Sequence, residues 1–442
     1  MNFKAFCLRN IFWVGDFMNG SPIGNQYKEI KFISEHSYKE GLPFRLKNLY
    51  RLLSHVRTNS PFYANYSSDN LTDYPVMNKI VYIENYERLR IAEQNIPLQE
   101  GPVFIQKTSG STGIPLAMPQ DRMKRLRRIA EIKYFNRKFG FNSHEKLIQL
   151  RIWNKWQKKS VRQIAKENII PFDIKYLEGQ VLENLCRLIE KEKPVCIRGY
   201  ASTLGKLAEV AERIGLKSPS SLKVIVSTSE SLDDDIRIDI KRVFGSEIVS
   251  QYANEECGIL ANERIPTSHC DNPMYFNNAS YFFEILKLDC DEPVKYGELG
   301  RIVVTDLYNY AFPVIRYDTG DTCILLPPDK YSKGYPVIGK LYGRRFDLTY
   351  TTDGTPVYPL AYGRTIKNYP CISQWQFIQK EEKKYQFRFV FNERQPEVLN
   401  KIAEEIKELL GKDAKIELTE MEDIPVLTSG KRKPVVNEWR KN

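Results

Sequence analysis

Apolar and polar positions follow two different rhythms through the middle of the chain. Pro194 to Tyr200 (PVCIRGY) is a short apolar run that predicts a buried strand, and Ser202 to Ile214 carries its apolar residues at helical spacing. Lys223 to Ser227 (KVIVS) predicts a second buried strand. Asp233 to Phe244 predicts a helix, with Asp233 as N-cap and Gly245 as its stop, and Glu247 to Tyr252 predicts a third strand. Such strand–helix alternation is the mark of βα units. Tyr281 to Leu288 and Gly300 to Asp306 then predict antiparallel strands.

From about Gly343 the rhythm changes. Trp375 to Gln379 and Tyr385 to Phe391 alternate as strands do, and Ile416 to Leu418 adds a short one. Leu399, Ile402, Ile406, Leu409 and Leu410 line one face of a helix between them. The expected architecture is α/β: a large multi-sheet N-terminal domain over residues 1–343 and a small α+β C-terminal domain over residues 344–442.

Composition narrows the class. A chain of 442 residues exceeds what one core supports, and 42% hydrophobic content excludes disorder. Eight cysteines without a CxxC pair imply free thiols in a reducing compartment. The opening stretch, MNFKAFCLRNIFWVGDFMNG, is interrupted by Arg9 and Asp16, so it is expected to be packed structure rather than a secretory signal. No run of about 18 apolar residues occurs, which predicts no membrane span and a cytoplasmic protein.

The net charge of +11 comes from 66 basic and 55 acidic residues spread along the chain. Its densest basic stretch, Arg122 to Lys138, has Leu126, Ile129, Ile132 and Phe135 at roughly helical spacing. A solvated helix face is expected there; attraction for a polyanion such as ATP is the competing reading. The stretch lacks the aromatic–basic interleaving of a known nucleic-acid module, so no nucleic-acid partner is predicted.

Candidate chemistry lies in five separated segments. Thr108-Ser-Gly-Ser-Thr-Gly-Ile-Pro115 follows an apolar segment and precedes a helix; its glycines permit tight turns, and its amides and hydroxyls can surround phosphate oxygens. It is not a Walker loop, having no Lys-Ser/Thr pair after the second glycine. Gln251-Tyr-Ala-Asn-Glu-Glu-Cys-Gly258 follows a buried strand with an aromatic ring and two acids. Arg316-Tyr-Asp-Thr-Gly-Asp321 sets an acid after a turn, Tyr342-Gly-Arg-Arg-Phe-Asp347 marks the domain junction, and Leu427-Thr-Ser-Gly-Lys-Arg-Lys433 lies near the C-terminus. Cys257, His269 and Cys270 raise a zinc site as an alternative, although their spacing fits no metal signature and no fourth ligand is evident.

In this order the five segments resemble the adenylate-forming superfamily of acyl-CoA synthetases, peptide-synthetase adenylation domains and luciferases. The resemblance is to its phenylacetate-CoA ligase-like branch with the CapK-type capsular polysaccharide proteins, over about residues 45 to 436. Ser60-Pro-Phe-Tyr63 with Tyr74-Pro-Val-Met77 resembles the branch's opening, and Ser227-Thr-Ser-Glu-Ser-Leu232 its adenine-side loop. The resemblance implies that Thr108, Ser109, Gly110, Ser111, Thr112 and Gly113 hold the phosphates of ATP. It places Ser229 and Glu230 beside the adenine, with Tyr252 stacked on it. Glu256 would bind Mg²⁺, Asp321 the ribose hydroxyls with help from Arg344, and Lys431 would bridge the attacking carboxylate and the α-phosphate.

The implied activity is conversion of a carboxylic acid to an acyl-adenylate in an ATP cleft closed by the small domain as a lid, hinged near residues 344–347. Transfer to an acceptor follows, with CoA, an amine, a carrier thiol or a hydroxyl left open. Arg151 to Trp153 and Arg198 to Ala201 are expected near the acid pocket. Ala253 replaces a usual glycine, Glu255 a usual Ser/Thr and Phe346 a usual acidic hinge residue, and the stretch after Gly354 lacks its customary acid. The departures at Ala253, Glu255 and Phe346 keep open a catalytically decayed nucleotide-binding relative, and an adenylyltransferase acting on a non-acyl acceptor is a further alternative.

Overall fold

The computed structural model describes residues 3–107, 116–153, 158–175, 179–265, 272–344, 348–357, 359–425 and 434–439. Three helices open the chain: α1 (Phe3–Met18), α2 (Pro22–Glu35) and α3 (Tyr38–Asn59). The short α4 (Lys79–Glu84) and α5 (Tyr86–Leu89) precede a two-stranded ribbon of β1 (Phe104–Lys107) and β2 (Ala117–Gln120), and α6 (Arg122–Lys138) follows at once. The βα region comprises β3 (Leu147–Arg151), α7 (Val161–Glu167), β4 (Ile169–Asp173), α8 (Gly179–Glu192) and β5 (Cys196–Gly199). It continues through α9 (Ala201–Arg213), β6 (Val224–Thr228), α10 (Asp234–Phe244) and β7 (Glu247–Asn254). Next come β8 (Gly258–Asn262), β9 (Met274–Phe276), β10 (Tyr281–Leu286), β11 (Leu299–Asp306), β12 (Tyr317–Leu326) and β13 (Val337–Arg344).

Strands β3 to β13 form one eleven-stranded sheet in the order β10-β11-β12-β13-β9-β8-β7-β6-β5-β3-β4. The five strands β4, β3, β5, β6 and β7 run parallel, with Val224 opposite both Cys196 and Glu247. Helices on the faces of such a sheet bury it on both sides, which is why KVIVS is apolar at consecutive positions rather than at alternate ones. The expected antiparallel pair is present as β10 and β11, with Tyr281 opposite Asp306. Gly245 ends α10 in the left-handed conformation (φ 67°), but Asp233, at the N-cap position, makes no side-chain capping bond.

The described residues divide into two compact units, the second comprising the chain from Tyr342 onward together with Gly320–Thr322. Here β14 (Thr349–Tyr350) and β15 (Pro356–Val357) form a ribbon, followed by α11 (Pro359–Lys367). Then β16 (Ile372–Glu381), β17 (Lys384–Phe391), α12 (Val398–Leu410), β18 (Lys415–Glu420) and β19 (Val435–Asn437) complete an α+β fold with sheet order β18-β17-β16-β19. Ile402, Ile406 and Leu410 of α12 bury against Phe377, Phe387 and Tyr385. The helix stripe visible in sequence is this contact.

The basic helix α6 departs from its expectation. Three of its eight cations do not lie on a solvated face: Lys124, Arg127 and Lys133 are buried, while Arg137 and Lys138 at its end are exposed. Lys124 Nζ pairs with Asp306 at 2.5 Å and donates to the Tyr281 hydroxyl at 3.1 Å. Arg127 donates to Ser280 Oγ at 2.9 Å and to the Ala279 carbonyl at 2.6 Å, and pairs with Glu29 at 3.1 Å. Asp121 caps the helix through Lys124 N–H at 2.8 Å while accepting the amides of Tyr310 and Ala311. Ile132, read as part of the apolar face, is exposed. Charges this deep persist only when each finds a partner, and here they fasten α6 to β11 and to the segments flanking it.

Replacing Lys124 with Met leaves Asp306 buried and uncompensated, and destabilises the fold by about 3–5 kcal/mol in urea titration. Lys133 sits over the Phe12 ring at 3.6 Å, and burial pushes its pKa down to about 8 from 10.5. The folded state therefore sheds this proton before the unfolded chain does, so stability attributable to Lys133 rises between pH 8 and 10.5. Relative to Lys133→Met, the wild-type protein gains up to about 3 kcal/mol over that window in urea titrations run at successive pH values.

Candidate functional site

The candidate segments of the first unit gather where the parallel strands end. β6 and β7 pair as far as Thr228 opposite Gln251, so Ser229 and Tyr252 each stand one residue beyond that pair. Open α/β sheets present their ligand-binding crevices at such carboxyl ends.

Ser229 has φ 68°, a left-handed backbone in the turn leaving β6. Glu230 accepts the Ser202 amide at 2.9 Å. A carboxylate there satisfies an orphan donor in the first turn of α9 and complements the helix dipole. Arg198 donates to Asn136 Oδ1 at 2.6 Å, and burial lowers its pKa. Arg151 lies 4.0 Å from Glu255, at the end of β3.

Tyr252 is buried in the principal core of this unit, and its hydroxyl donates to Thr319 Oγ1 at 3.4 Å. A bulge follows, because Tyr252 faces Ala261 whereas Ala253 faces Ile259. Bulges bend the strand and redirect the side chains beyond them. In the turn that follows, Glu255 accepts Gln106 of β1 at 2.7 Å, and its carbonyl accepts Arg128 of α6 at 3.3 Å. Glu256 is 8% exposed, and its carboxylate accepts the Tyr317 hydroxyl at 3.4 Å. Among the described residues it pairs with no cation. Gly258 closes the turn at φ 121°, where a Cβ would come within 3.2 Å of the Tyr281 hydroxyl, so the glycine is required.

Tyr317 and Thr319 both belong to the RYDTGD segment, so residues 61 and 67 positions apart in sequence meet through these hydroxyl bonds. The arginine that opens that segment has a structural task the sequence did not disclose. Arg316 (φ 45°) grips Glu284 with two nitrogens at 2.9 and 2.8 Å and donates to the Tyr74 carbonyl at 2.7 Å. Met77 N–H donates to the Arg316 carbonyl at 3.0 Å, and Asp318 N–H to the Met77 carbonyl at 2.9 Å. The YPVM segment is thus a one-bridge strand laid parallel to the start of β12. Asp318, the middle acid, is committed to Arg301 at 3.0 Å.

Asp321 is half-buried on β12, two residues beyond Thr319, and Arg344 ends β13. Thr108, Ser109, Gly110, Ser111, Thr112, Gly113, Phe346 and Lys431 lie outside the described residues, as do His269 and Cys270. Cys257 is buried with its thiol pKa raised by desolvation, and the described residues hold no cluster of three metal-ligating side chains. Nor, among them, is any helix long and apolar enough to cross a membrane.

Comparison with known proteins agrees with these features. Residues 349–438 match the CapK C-terminal domain. Over 438 residues the chain is 21% identical to protein CapK of Staphylococcus aureus, covering 95% of this chain and 94% of that protein. It is 27% identical over 278 residues to phenylacetate-coenzyme A ligase of Aromatoleum evansii, covering 59% of this chain and 62% of the ligase. The fold is similar to that of a 2-hydroxyisobutyryl-CoA ligase crystallised with an acyl-AMP in its postadenylation state: TM-score 0.70, 16% identity, 92% of this chain and 91% of that one.

A β-branched residue cannot hold the backbone of Ser229 without strain, so Ser229→Val destabilises the protein by about 1–3 kcal/mol, read from its thermal melt. The C-terminal part of the chain matches the CapK C-terminal domain, and the chain is similar to CapK along nearly its whole length and to the phenylacetate-CoA ligases over about three fifths of it.

Proposed function

We propose that this protein uses ATP to convert a carboxylic acid into an acyl-adenylate and then passes the acyl group to an acceptor thiol, with CoA the first candidate. The observation that carries this reading is the joining of the Tyr252–Glu256 turn to the RYDTGD strand through Tyr317 and Thr319. That junction sets an aromatic ring, and an acid that pairs with no cation among the described residues, at the carboxyl end of a parallel sheet. The likenesses to CapK and to the phenylacetate-CoA ligases point to the same chemistry.

In the reaction, a substrate carboxylate oxygen attacks the α-phosphorus of ATP, a new O–P bond forms, and the bond to pyrophosphate breaks. Two anions approach, so cationic stabilisation matters more in the transition state than before it. Lys431 supplies a positive charge between the carboxylate and the α-phosphate. Thr108 to Gly113 offer amides and hydroxyls to the departing phosphates, Ser229 and Tyr252 border the base, and Asp321 and Arg344 serve the ribose. Glu230 has a second occupation as the cap of α9, so its part is to hold the adenine-side loop rather than to touch the base.

The Glu256 carboxylate fits a magnesium ion, which typically takes one or two protein carboxylates and completes its shell with phosphate oxygens and water. Bound there, Mg²⁺ supplies positive charge to the phosphate oxygens. A place in capsular or cell-surface polysaccharide biosynthesis rests on the CapK likeness alone.

ATP–pyrophosphate exchange across pools of aryl, fatty and amino acids tests the proposal. Exchange should arise with one acid class, fall at least about 100-fold in Lys431→Ala, and fall comparably in Glu256→Gln. ATP binding without exchange from any pool would make the chain a nucleotide-binding relative that has lost activation.

A further inference from the structure

The first helix is apolar on both sides, although only one side is covered. Its inner side packs: Phe12 and Trp13 meet edge to face at 5.1 Å, Trp13 meets Tyr27 at 5.8 Å, and Lys133 lies over Phe12. Asp16 is buried, its two carboxylate oxygens accepting the amides of Ile23 at 2.9 Å and Gly24 at 2.8 Å, which caps α2. Those contacts fix the orientation of α1 and leave the opposite side in solvent.

On that outer side Phe3, Ile11, Val14, Phe17 and Met18 are 57–79% exposed, with Phe6 beside them. At 100° per residue these six fall within an arc of roughly 140°, along a helix ~24 Å long. Single exposed apolar residues are ordinary, whereas a continuous stripe marks an interaction surface. Six of the twenty large exposed hydrophobics among the described residues lie on this one helix, so scatter does not account for them.

Charge selects the occupant. Lys4 is exposed at one edge of the stripe, whereas Arg9 falls beside Asp16 on the inner side, where its charge acts on the buried His144. The only acid of α1, Asp16, faces inward and is spent on α2. Of the neighbouring elements, α8 brings Glu192 within the influence of Lys4, but that carboxylate is already held by Lys146 at 2.9 Å. A second copy of α1 would bring the same lysine and no acid to face it. An anionic surface complements both the apolar stripe and the exposed Lys4 at its edge, and the whole chain carries +11.

We infer that α1 is an interfacial helix that lies in the headgroup region of an anionic bilayer, its Phe3–Met18 stripe entering the acyl boundary. It lies on the membrane and does not span it. This is independent of the adenylation reading, since no residue assigned to ATP or acid is on α1.

The test is cosedimentation of the full chain with vesicles of pure phosphatidylcholine and of phosphatidylcholine with about 30% phosphatidylglycerol, at low and high salt. Binding should be confined to the anionic vesicles and weaken with salt. It should fall at least about tenfold in a Val14→Glu/Phe17→Glu variant, with exchange activity unchanged. Should that variant fail to fold, Phe17→Ser and Lys4→Gln, each conservative for an exposed side chain, serve in its place with a loss of severalfold. No binding to anionic vesicles, or equal binding by the variants, overturns the proposal. So does a lipid-independent dimer, seen by light scattering and abolished by Val14→Glu/Phe17→Glu, which would assign the stripe to a second copy.

Discussion

The large unit is organised around charges it had to bury. Lys124 and Asp306 meet with neither side chain exposed to solvent, and Arg127 lies equally deep beside them. Desolvating two ions costs several kcal/mol each, which the short contact and the bonds to the Tyr281 hydroxyl and the Tyr308 amide offset without a large surplus. The return is positional. Asp121, Lys124 and Arg127 fasten three successive parts of α6 to the 309–311 turn, the end of β11 and the start of β10. Because β2 runs directly into α6, the β1–β2 ribbon is held by the same fastening, and with it Gln106, which reaches Glu255 in the turn beside Glu256.

A second constraint links the opening of the chain to its nucleotide motif. Tyr74 to Met77 and Arg316 to Asp318 exchange backbone bonds as a one-bridge parallel pair, and the Arg316 guanidinium closes over that pair onto Glu284. Within RYDTGD the residues have divided their labour. Arg316 and Asp318 hold structure, Tyr317 and Thr319 orient the neighbouring turn, and Asp321 is left half-buried farther along the same strand.

What the residues disclosed in advance was whatever depends on local rhythm. The parallel strands, the β10–β11 pair and the α12 stripe all follow from spacing and side-chain shape, and the structure places them where the pattern does. What stayed hidden depends on partners distant in sequence. RMKRLRRIAEIKYFNRK looks like a solvated helix, since nothing near it announces that Asp306 lies 182 positions away from Lys124. The structural task of Arg316 is hidden for the same reason, its partners being Glu284 and Tyr74. Glu230 was legible as a member of the adenine-side loop but not as the acceptor for Ser202. The segment 108–113 and Lys431 were legible as motifs and lie outside the described residues.

The Arg316 clasp also bears on how the chain is made. Tyr74 and Arg316 are separated by 242 positions, so Tyr74 leaves the ribosome long before its partner exists. At about 5–20 residues per second that interval lasts on the order of 10–50 s. Throughout it the aromatic cluster of Tyr63, Tyr66 and Tyr74 has no strand to lie against. The segment from Tyr63 to Met77 thus waits for partners made much later, and in the growing polypeptide it is a natural client for a chaperone.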